Sequence, residues 1–320
     1  MPLLLTRQEV EPLIDLARAI EMTEAVFQQQ ARGEVAAHAP YHIELGGEKA
    51  LRVVSGALLG TNNKAVLRAG PSYGLGGNRM YALLFDAREG DLLSVMGYPF
   101  GTLRTAATVA LAVRYMARKD ARRVGIFGVG RNALGLLKGI ASVRSLDKVV
   151  VFSRDSQRRK DFSHTTAQSL KIEVRPAATA EEAVQGMDIV LTATNSLSPV
   201  FAESRVEPGM HISSMGKPTE LDWRIFQKAD RIVVGSKHHE QNYHDRSAPL
   251  PLLQLTDERK LTWDEIHELG DLVAGRVPGR ADQNEITVFR ESQGGFGDVA
   301  FTAWVYEEAL RKGLGREVTL

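Results

Sequence analysis

Gly128-Val129-Gly130-Arg131-Asn132-Ala133 follows directly on the apolar run Val124-Gly125-Ile126-Phe127 and opens a helical stretch from Ala133 to Val143. That order of residue types suits a diphosphate. The first glycine permits a tight turn, the second lets backbone approach the anion, and the small Ala133 allows close helix–strand packing at a positive helix end. Alone, the spacing is a weak signal, because a glycine-rich turn in another α/β fold looks the same. Its strand–turn–helix setting, with a second strand at Lys148–Phe152, points to a dinucleotide site formed by Gly128, Gly130, Arg131, Asn132 and Ala133.

The end of the second strand carries Ser153-Arg154, with Arg158 and Arg159 one turn further on. A carboxylate there would bind ribose hydroxyls, whereas an arginine grips a 2′-phosphate. Ser153, Arg154 and Arg158 therefore favour NADP. NAD remains possible if Asp155, two positions away, takes the carboxylate role.

Two further cations stand out. Arg104, in Gly101-Thr102-Leu103-Arg104-Thr105-Ala106-Ala107, falls in the first turn of an Ala-rich helix, where a cation is mildly unfavourable against the helix dipole. A bound substrate carboxylate would remove the anomaly; a surface or inter-domain ion pair is the plainer reading. Lys64 begins an otherwise apolar strand and lies either at a solvated strand end or in a cleft.

Elements at fixed places must position these groups. Thr6-Arg7-Gln8-Glu9 is a capping-box pattern leading into an amphipathic run to Ile20. Short apolar runs between Ala50 and Val95, separated by Gly and Asn turns, predict an antiparallel sheet. A long helix is expected over Thr102–Ala117. From Arg123 to Val234 strands alternate with helices, as in a parallel sheet wrapped on both faces. The expected fold is α/β: a Rossmann doubly wound sheet over residues 119–297, and an α+β substrate and dimerisation domain from 1–118 and 298–320. Asp298 is the expected N-cap of the last helix, which runs to Lys312. Glu220 and Asp222 are more simply helix-capping residues than catalytic ones, and Trp223, Trp263 and Trp304 are packing residues.

With 40 basic against 39 acidic residues, the net charge of +1 argues against a nucleic-acid partner. The absence of cysteine excludes disulfides and thiolate chemistry and fits a cytoplasmic protein. No stretch approaches the roughly 18 apolar residues of a membrane helix. The run from Lys237 to Asp245 is rich in possible ligands, but its spacing suits no metal site.

Taken together, these segments resemble the ornithine cyclodeaminase/mu-crystallin family. The likeness rests on Leu103-Arg104-Thr105-Ala106-Ala107, Gly128-Val129-Gly130, Thr192-Ala193-Thr194-Asn195-Ser196, Glu220-Leu221-Asp222, Glu268-Leu269-Gly270-Asp271, Pro278-Gly279-Arg280 and Glu285-Ile286-Thr287-Val288-Phe289 through Asp298. It implies a homodimer that reduces imines or oxidises amino acids, acting on a small imino or amino acid. It implies Arg104 at the substrate carboxylate, Lys64 near the reacting carbon, and cofactor contacts from Thr105, Thr192, Ala193, Thr194, Gly216, Gly294 and Gly295. Two departures matter. Pro40 is followed by Tyr41-His42 instead of an arginine, so Arg52 would supply the second carboxylate contact and His42 joins Lys64 as a candidate proton donor. The loop after Gly216 is short and lacks the aspartate of cyclodeaminases, which favours hydride transfer over ornithine cyclodeamination. A crystallin-like NADP-binding protein without turnover is the remaining reading.

Overall fold

The computed structural model describes residues 1–46, 49–60, 63–71, 79–243 and 248–319. The chain divides into two compact units. One comprises Met1–Arg104, His238–His244 and Gln293–Leu320, the other Thr105–Lys237 and Asp245–Ser292. The first unit thus ends at Arg104, resumes for His238–His244 and returns at Gln293, where the sequence reading places the bounds at 118/119 and 297/298. Val109 and Val113 pack into the core of the second unit, and the backbone at Gly295 packs on Ser55 in the first.

In the first unit the chain runs β1 (Leu3–Leu5), α1 (Arg7–Val10), α2 (Leu16–Ala31), β2 (Val35–Ala37), β3 (Tyr41–Gly46), β4 (Lys49–Leu58), β5 (Lys64–Pro71), β6 (Tyr81–Asp86) and β7 (Leu92–Gly97). The capping box of Thr6 and Glu9 is present, but α1 stops after one turn and a 3-10 turn carrying Pro12 follows. Proline has no N–H to continue an α-helix. Asp15 caps the fresh start at α2, so the expected single helix is two.

Helix α3 (Gly101–Met116) leads into the second unit. There follow β8 (Arg123–Phe127), α4 (Ala133–Val143), β9 (Lys148–Phe152), α5 (Ser156–Leu170), β10 (Glu173–Pro176), β11 (Ile189–Thr192), β12 (His211–Ser214), α6 (Trp223–Lys228) and β13 (Arg231–Val234). Then come α7 (Lys237–Gln241), α8 (Pro251–Asp257), β14 (Ile266–Glu268), α9 (Leu269–Val273) and β15 (Thr287–Arg290). Helix α10 (Phe296–Lys312) and β16 (Arg316–Glu317) complete the first unit.

Among the described residues the strands form two sheets of eight. The sheet of the second unit has the order β10-β9-β8-β11-β12-β15-β13-β14 and is parallel throughout. Its central strands are buried at nearly every position, because separate apolar clusters cover both faces. From β8 the chain moves outward to β9 and β10, then returns to build β11 and β12 on the other side. The carboxyl ends of β8 and β11 therefore form a topological switch point, where open α/β sheets bind ligands.

The other sheet has the order β16-β1-β7-β6-β5-β4-β2, with β3 also on β4, and is antiparallel from β4 to β7. One face carries Val54, Val66, Arg68 and Leu84, and α10 covers it: Asp298 of α10 meets Arg68, and Phe296 stands 5.7 Å from Phe27 of α2, edge to face. On the opposite face Tyr41, Ile43, Leu67 and Tyr81 are exposed. Among the described residues, no helix is long and apolar enough to cross a membrane.

Candidate functional site

The glycine turn lies at the switch point. Gly128 has φ +101°, and its N–H donates to Phe152 O at 2.9 Å, tying the turn to the end of β9. A Cβ there would stand 2.5 Å from Ala193 O, so glycine is required by both angle and space. Gly130 is exposed, and a Cβ added to it would meet nothing within 4 Å. The backbone is thus open on the side where a diphosphate would approach. Arg131 is exposed, Asn132 half-buried, and Ala133 is sunk in the core beneath α4.

Glu220 organises the ends of β11 and β12. Its buried carboxylate accepts from Thr192 Oγ1 at 2.7 Å, Thr194 N and Oγ1 at 2.8 Å each, Ser214 Oγ at 2.9 Å and Gly216 N at 2.8 Å. A Cβ on Gly216 would fall 2.2 Å from Thr194 O and 2.4 Å from Glu220 Oε2. Thr192, Ala193, Thr194 and Gly216 are therefore held together as one rim beside the turn. Asp222, in contrast, is the N-cap of α6, accepting from Arg224 N. The capping expectation holds for Asp222; Glu220 bridges two loops instead.

At the end of β9, Ser153 is half-buried, and Arg154 and Arg158 are exposed. Asp155 caps α5, accepting from Gln157 N and Arg158 N at 3.0 Å each. Arg159 donates to Ser153 O at 2.7 Å with its guanidinium over the Phe152 ring, which fixes this corner.

In the first unit Arg104 is buried, and its guanidinium donates to Gln293 Oε1 and pairs with Asp298 Oδ1 at 3.2 Å. Asp298 is not the N-cap of α10. That position belongs to Gly295, and Asp298 lies inside the first turn with its carboxylate turned to the sheet. Its other oxygen pairs with Arg68 Nε at 3.1 Å, and Tyr98 donates its hydroxyl to Oδ1. Burial pushes the Asp298 carboxyl up, but Arg104, Arg68 and the Tyr98 hydroxyl outweigh it and hold it below the usual carboxylate range. The same burial and the adjacent carboxylate push the Tyr98 phenol well up, so it remains a donor.

Sequence reasoning missed Arg68, Tyr98, Gln293 and the true role of Asp298. Arg68 was the available signal, since an arginine flanked by apolar residues in a strand demands a partner. Of the expected residues, His42 and Arg52 are register partners on β3 and β4, and Arg52 faces Gly70, two residues along β5 from Arg68. All lie on the face toward α10. Lys64 shares that face but begins β5, about 13 Å from Arg68 at the rise of a strand, and its Nζ pairs with Asp86 Oδ2 at 3.0 Å. Gly294 and Gly295 pack on the first unit's own strands: a Cβ on Gly295 would lie 2.0 Å from Ser55 O. Thr105 follows Arg104 in α3 and is buried. In the His-rich run, His239 stacks on Tyr243; His244 and Asp245 lie outside the described residues.

The open Gly128–Gly130 backbone at the switch point fits the diphosphate of a nicotinamide dinucleotide, and this fold and site define a dinucleotide-binding protein. The model of the "Ornithine cyclodeaminase/mu-crystallin family" matches residues 1–313. The chain belongs to the ornithine cyclodeaminase/mu-crystallin family. It is 30% identical to an alanine dehydrogenase of Archaeoglobus fulgidus, across 99% of this chain and 98% of that one. A Delta(1)-pyrroline-2-carboxylate reductase of Bacillus cereus is 29% identical over 74% of this chain and 73% of its own. Among solved structures, the Thermococcus litoralis Delta(1)-pyrroline-2-carboxylate reductase in complex with NADH and L-proline superposes with a TM-score of 0.89 at 28% identity, covering 99% of this chain and all of that one. An archaeal alanine dehydrogenase dimer with bound NAD gives 0.87 at 29% identity, covering 100% and 99%.

Proposed function

We propose that this protein is an NAD(P)H-dependent oxidoreductase that reduces the C=N bond of a 2-imino acid or cyclic ketimine, or runs the reverse amino-acid dehydrogenation. The observation that carries this is Arg104, a buried guanidinium braced by Gln293 and Asp298, in a chain whose other unit has a dinucleotide turn. A guanidinium held this way keeps a fixed position and a permanent positive charge, which suits a planar carboxylate. The family relatives that act on amino and imino acids support the same reading.

A bound nicotinamide supplies or accepts the hydride. The residues of this chain bind and orient: the Gly128–Gly130 backbone and the first turn of α4 take the diphosphate, and Glu220 keeps the Thr192–Thr194 and Ser214–Gly216 segments in register beside it. Arg104 fixes the substrate carboxylate, with Arg52 as a further contact. His42, opposite Arg52 in the register, is the proposed source of the proton for the substrate nitrogen.

The NADP preference is supported by Arg154 and Arg158, whose exposed side chains make no hydrogen bond or ion pair among the described residues. Asp155 is engaged as the α5 cap, which weakens the NAD alternative. A homodimer is supported by the exposed apolar face of Tyr41, Ile43, Leu67 and Tyr81, which a second copy would cover.

The test is a panel of cyclic imines, and of 2-oxo acids with ammonia or methylamine, followed by loss of NADPH or NADH absorbance. Consumption with a carboxylated imine supports the reading. No consumption with any of them, alongside ammonia release from ornithine, would replace it with cyclodeamination.

A further inference from the structure

We infer that Glu220 does more than brace the cofactor rim: its buried negative charge favours the oxidised, cationic nicotinamide ring over the reduced, neutral one. The residue thereby tunes the bound couple toward hydride donation. The inference rests on the nicotinamide-dinucleotide reading of the second unit and needs no knowledge of the substrate.

Three observations carry it. First, Glu220 is fully buried, and all its partners are donors. Oε1 accepts from Thr192 Oγ1, Ser214 Oγ and Gly216 N, and Oε2 from Thr194 N and Oγ1. Each oxygen thus meets a backbone N–H, which can only donate, and that is the arrangement of an ionised carboxylate. Second, those partners are neutral, and among the described residues no lysine, arginine or histidine pairs with Glu220. Hydrogen bonds solvate the charge without cancelling it, so a cation brought nearby is favoured. Third, the charge adjoins the glycine turn. Thr192 and Ser214 end β11 and β12, and a Cβ on Gly128 would stand 3.2 Å from the Thr194 methyl. In a doubly wound sheet the two halves of a dinucleotide lie on opposite sides of the switch point. The adenosine half goes to the end of β9, where Arg154 is exposed, which assigns β11 and β12 to the nicotinamide half.

A hydride carries one proton and two electrons, and its departure turns a neutral dihydronicotinamide into a pyridinium cation. The imine carbon takes the hydride and its nitrogen takes one proton. A fixed negative charge lowers the energy of the charged side of this exchange. By linkage, tighter binding of the oxidised form lowers the potential of the bound couple, a tenfold difference being about 30 mV for two electrons. The phosphates are the same in both forms, so their repulsion by Glu220 cancels in the comparison.

The experiment measures dissociation constants for NADP+ and NADPH, by calorimetry and by NADPH fluorescence, on the full chain without substrate. NAD+ and NADH replace them if the chain prefers that pair. Wild type is expected to hold the oxidised form at least as tightly as the reduced one. In Glu220→Gln the ratio of Kd for NADPH to Kd for NADP+ should fall about tenfold, the scale of one charge–charge interaction in a partly hydrated site. Glu220→Asp keeps the charge but shortens the reach, so both affinities should weaken while the ratio stays within about twofold of wild type. A purely structural Glu220 would weaken both forms equally in Glu220→Gln, and that result overturns the inference. So does a Glu220→Asp ratio that falls as far as that of Glu220→Gln. If Glu220→Gln does not fold, wild type decides: tenfold tighter binding of NADPH than of NADP+ refutes the charge effect. A ratio that shifts as expected in a chain that reduces no imine leaves this inference standing and removes the reductase reading. A wild type that binds neither cofactor pair overturns both.

Discussion

Arg104 Nε lies 3.2 Å from Asp298 Oδ1, so a residue at the start of α3 is positioned by one in the first turn of α10. Removing the charge from Asp298 leaves buried guanidiniums without their brace. Asp298→Asn is expected to cost about 3 kcal/mol of stability, at the lower end for breaking a buried ion pair. Urea unfolding measures this. The same variant should raise KM for carboxylate substrates while leaving cofactor affinity in place.

The acid limb of stability has two separable parts. Asp298 has a depressed folded pKa, so its contribution is complete above the unfolded carboxyl value near 4 and is lost as pH falls through the lower folded value. Asp298→Asn should flatten the stability curve below about pH 4 and leave its slope above that unchanged.

His211 acts at higher pH. Burial, and then the charges of Arg280 and Arg144, hold it down to about 3, and its ring sits 2.9 Å from both Thr287 Oγ1 and Ser213 Oγ. An unfolded histidine titrates near 6.5, so stability from the neutral ring is full above that value and declines as pH falls toward 3. The decline is about 1.4 kcal/mol per pH unit, and roughly 2 kcal/mol is lost between pH 6.5 and 5. Urea midpoints for His211→Gln should lack most of this slope.

Arg154→Asp is expected to raise KM for NADPH about tenfold or more while NADH is affected little, because a carboxylate repels a 2′-phosphate and accepts from ribose hydroxyls. Loss of both cofactors in equal measure would mean that Arg154 holds the β9–α5 corner instead of reading the phosphate.

Gly216→Ala should weaken dinucleotide binding and lower the unfolding temperature together. Its Cβ has no room between Thr194 O and Glu220 Oε2, and relief requires breaking the five-bond cluster on Glu220. Fluorescence titration of reduced cofactor and a thermal melt read the two effects.

Local demands are legible in the amino-acid sequence; tertiary ones are not. The β8–Gly128–α4 unit is readable because its glycines mark the turn itself: Gly128 takes a positive φ there and Gly130 leaves the backbone open. The parallel sheet is readable because strands buried on both faces are uniformly apolar. Arg104 is visible because it opposes the dipole of its own helix. Its surroundings are hidden, because Asp298, Gln293 and Arg68 are distant along the chain and meet only when α10 lies on the antiparallel sheet. Asp298 misleads for the same reason: an aspartate near a helix start caps it by default, and only a tertiary partner turns it elsewhere. Lys64 is legible by residue type, whereas its pairing with Asp86 follows from the β5–β6 register and is not.

The first unit is assembled from segments on either side of the second in the chain, with His238–His244 between them. During synthesis β4, β5 and β6 leave the ribosome long before α10, so Arg68 and the apolar face around it wait without Asp298 or Phe296 while the whole parallel sheet is made. The nested unit has every strand it needs before that wait ends. Chaperone engagement on the nascent chain is therefore expected to centre on β4–β6 and to end as α10 emerges.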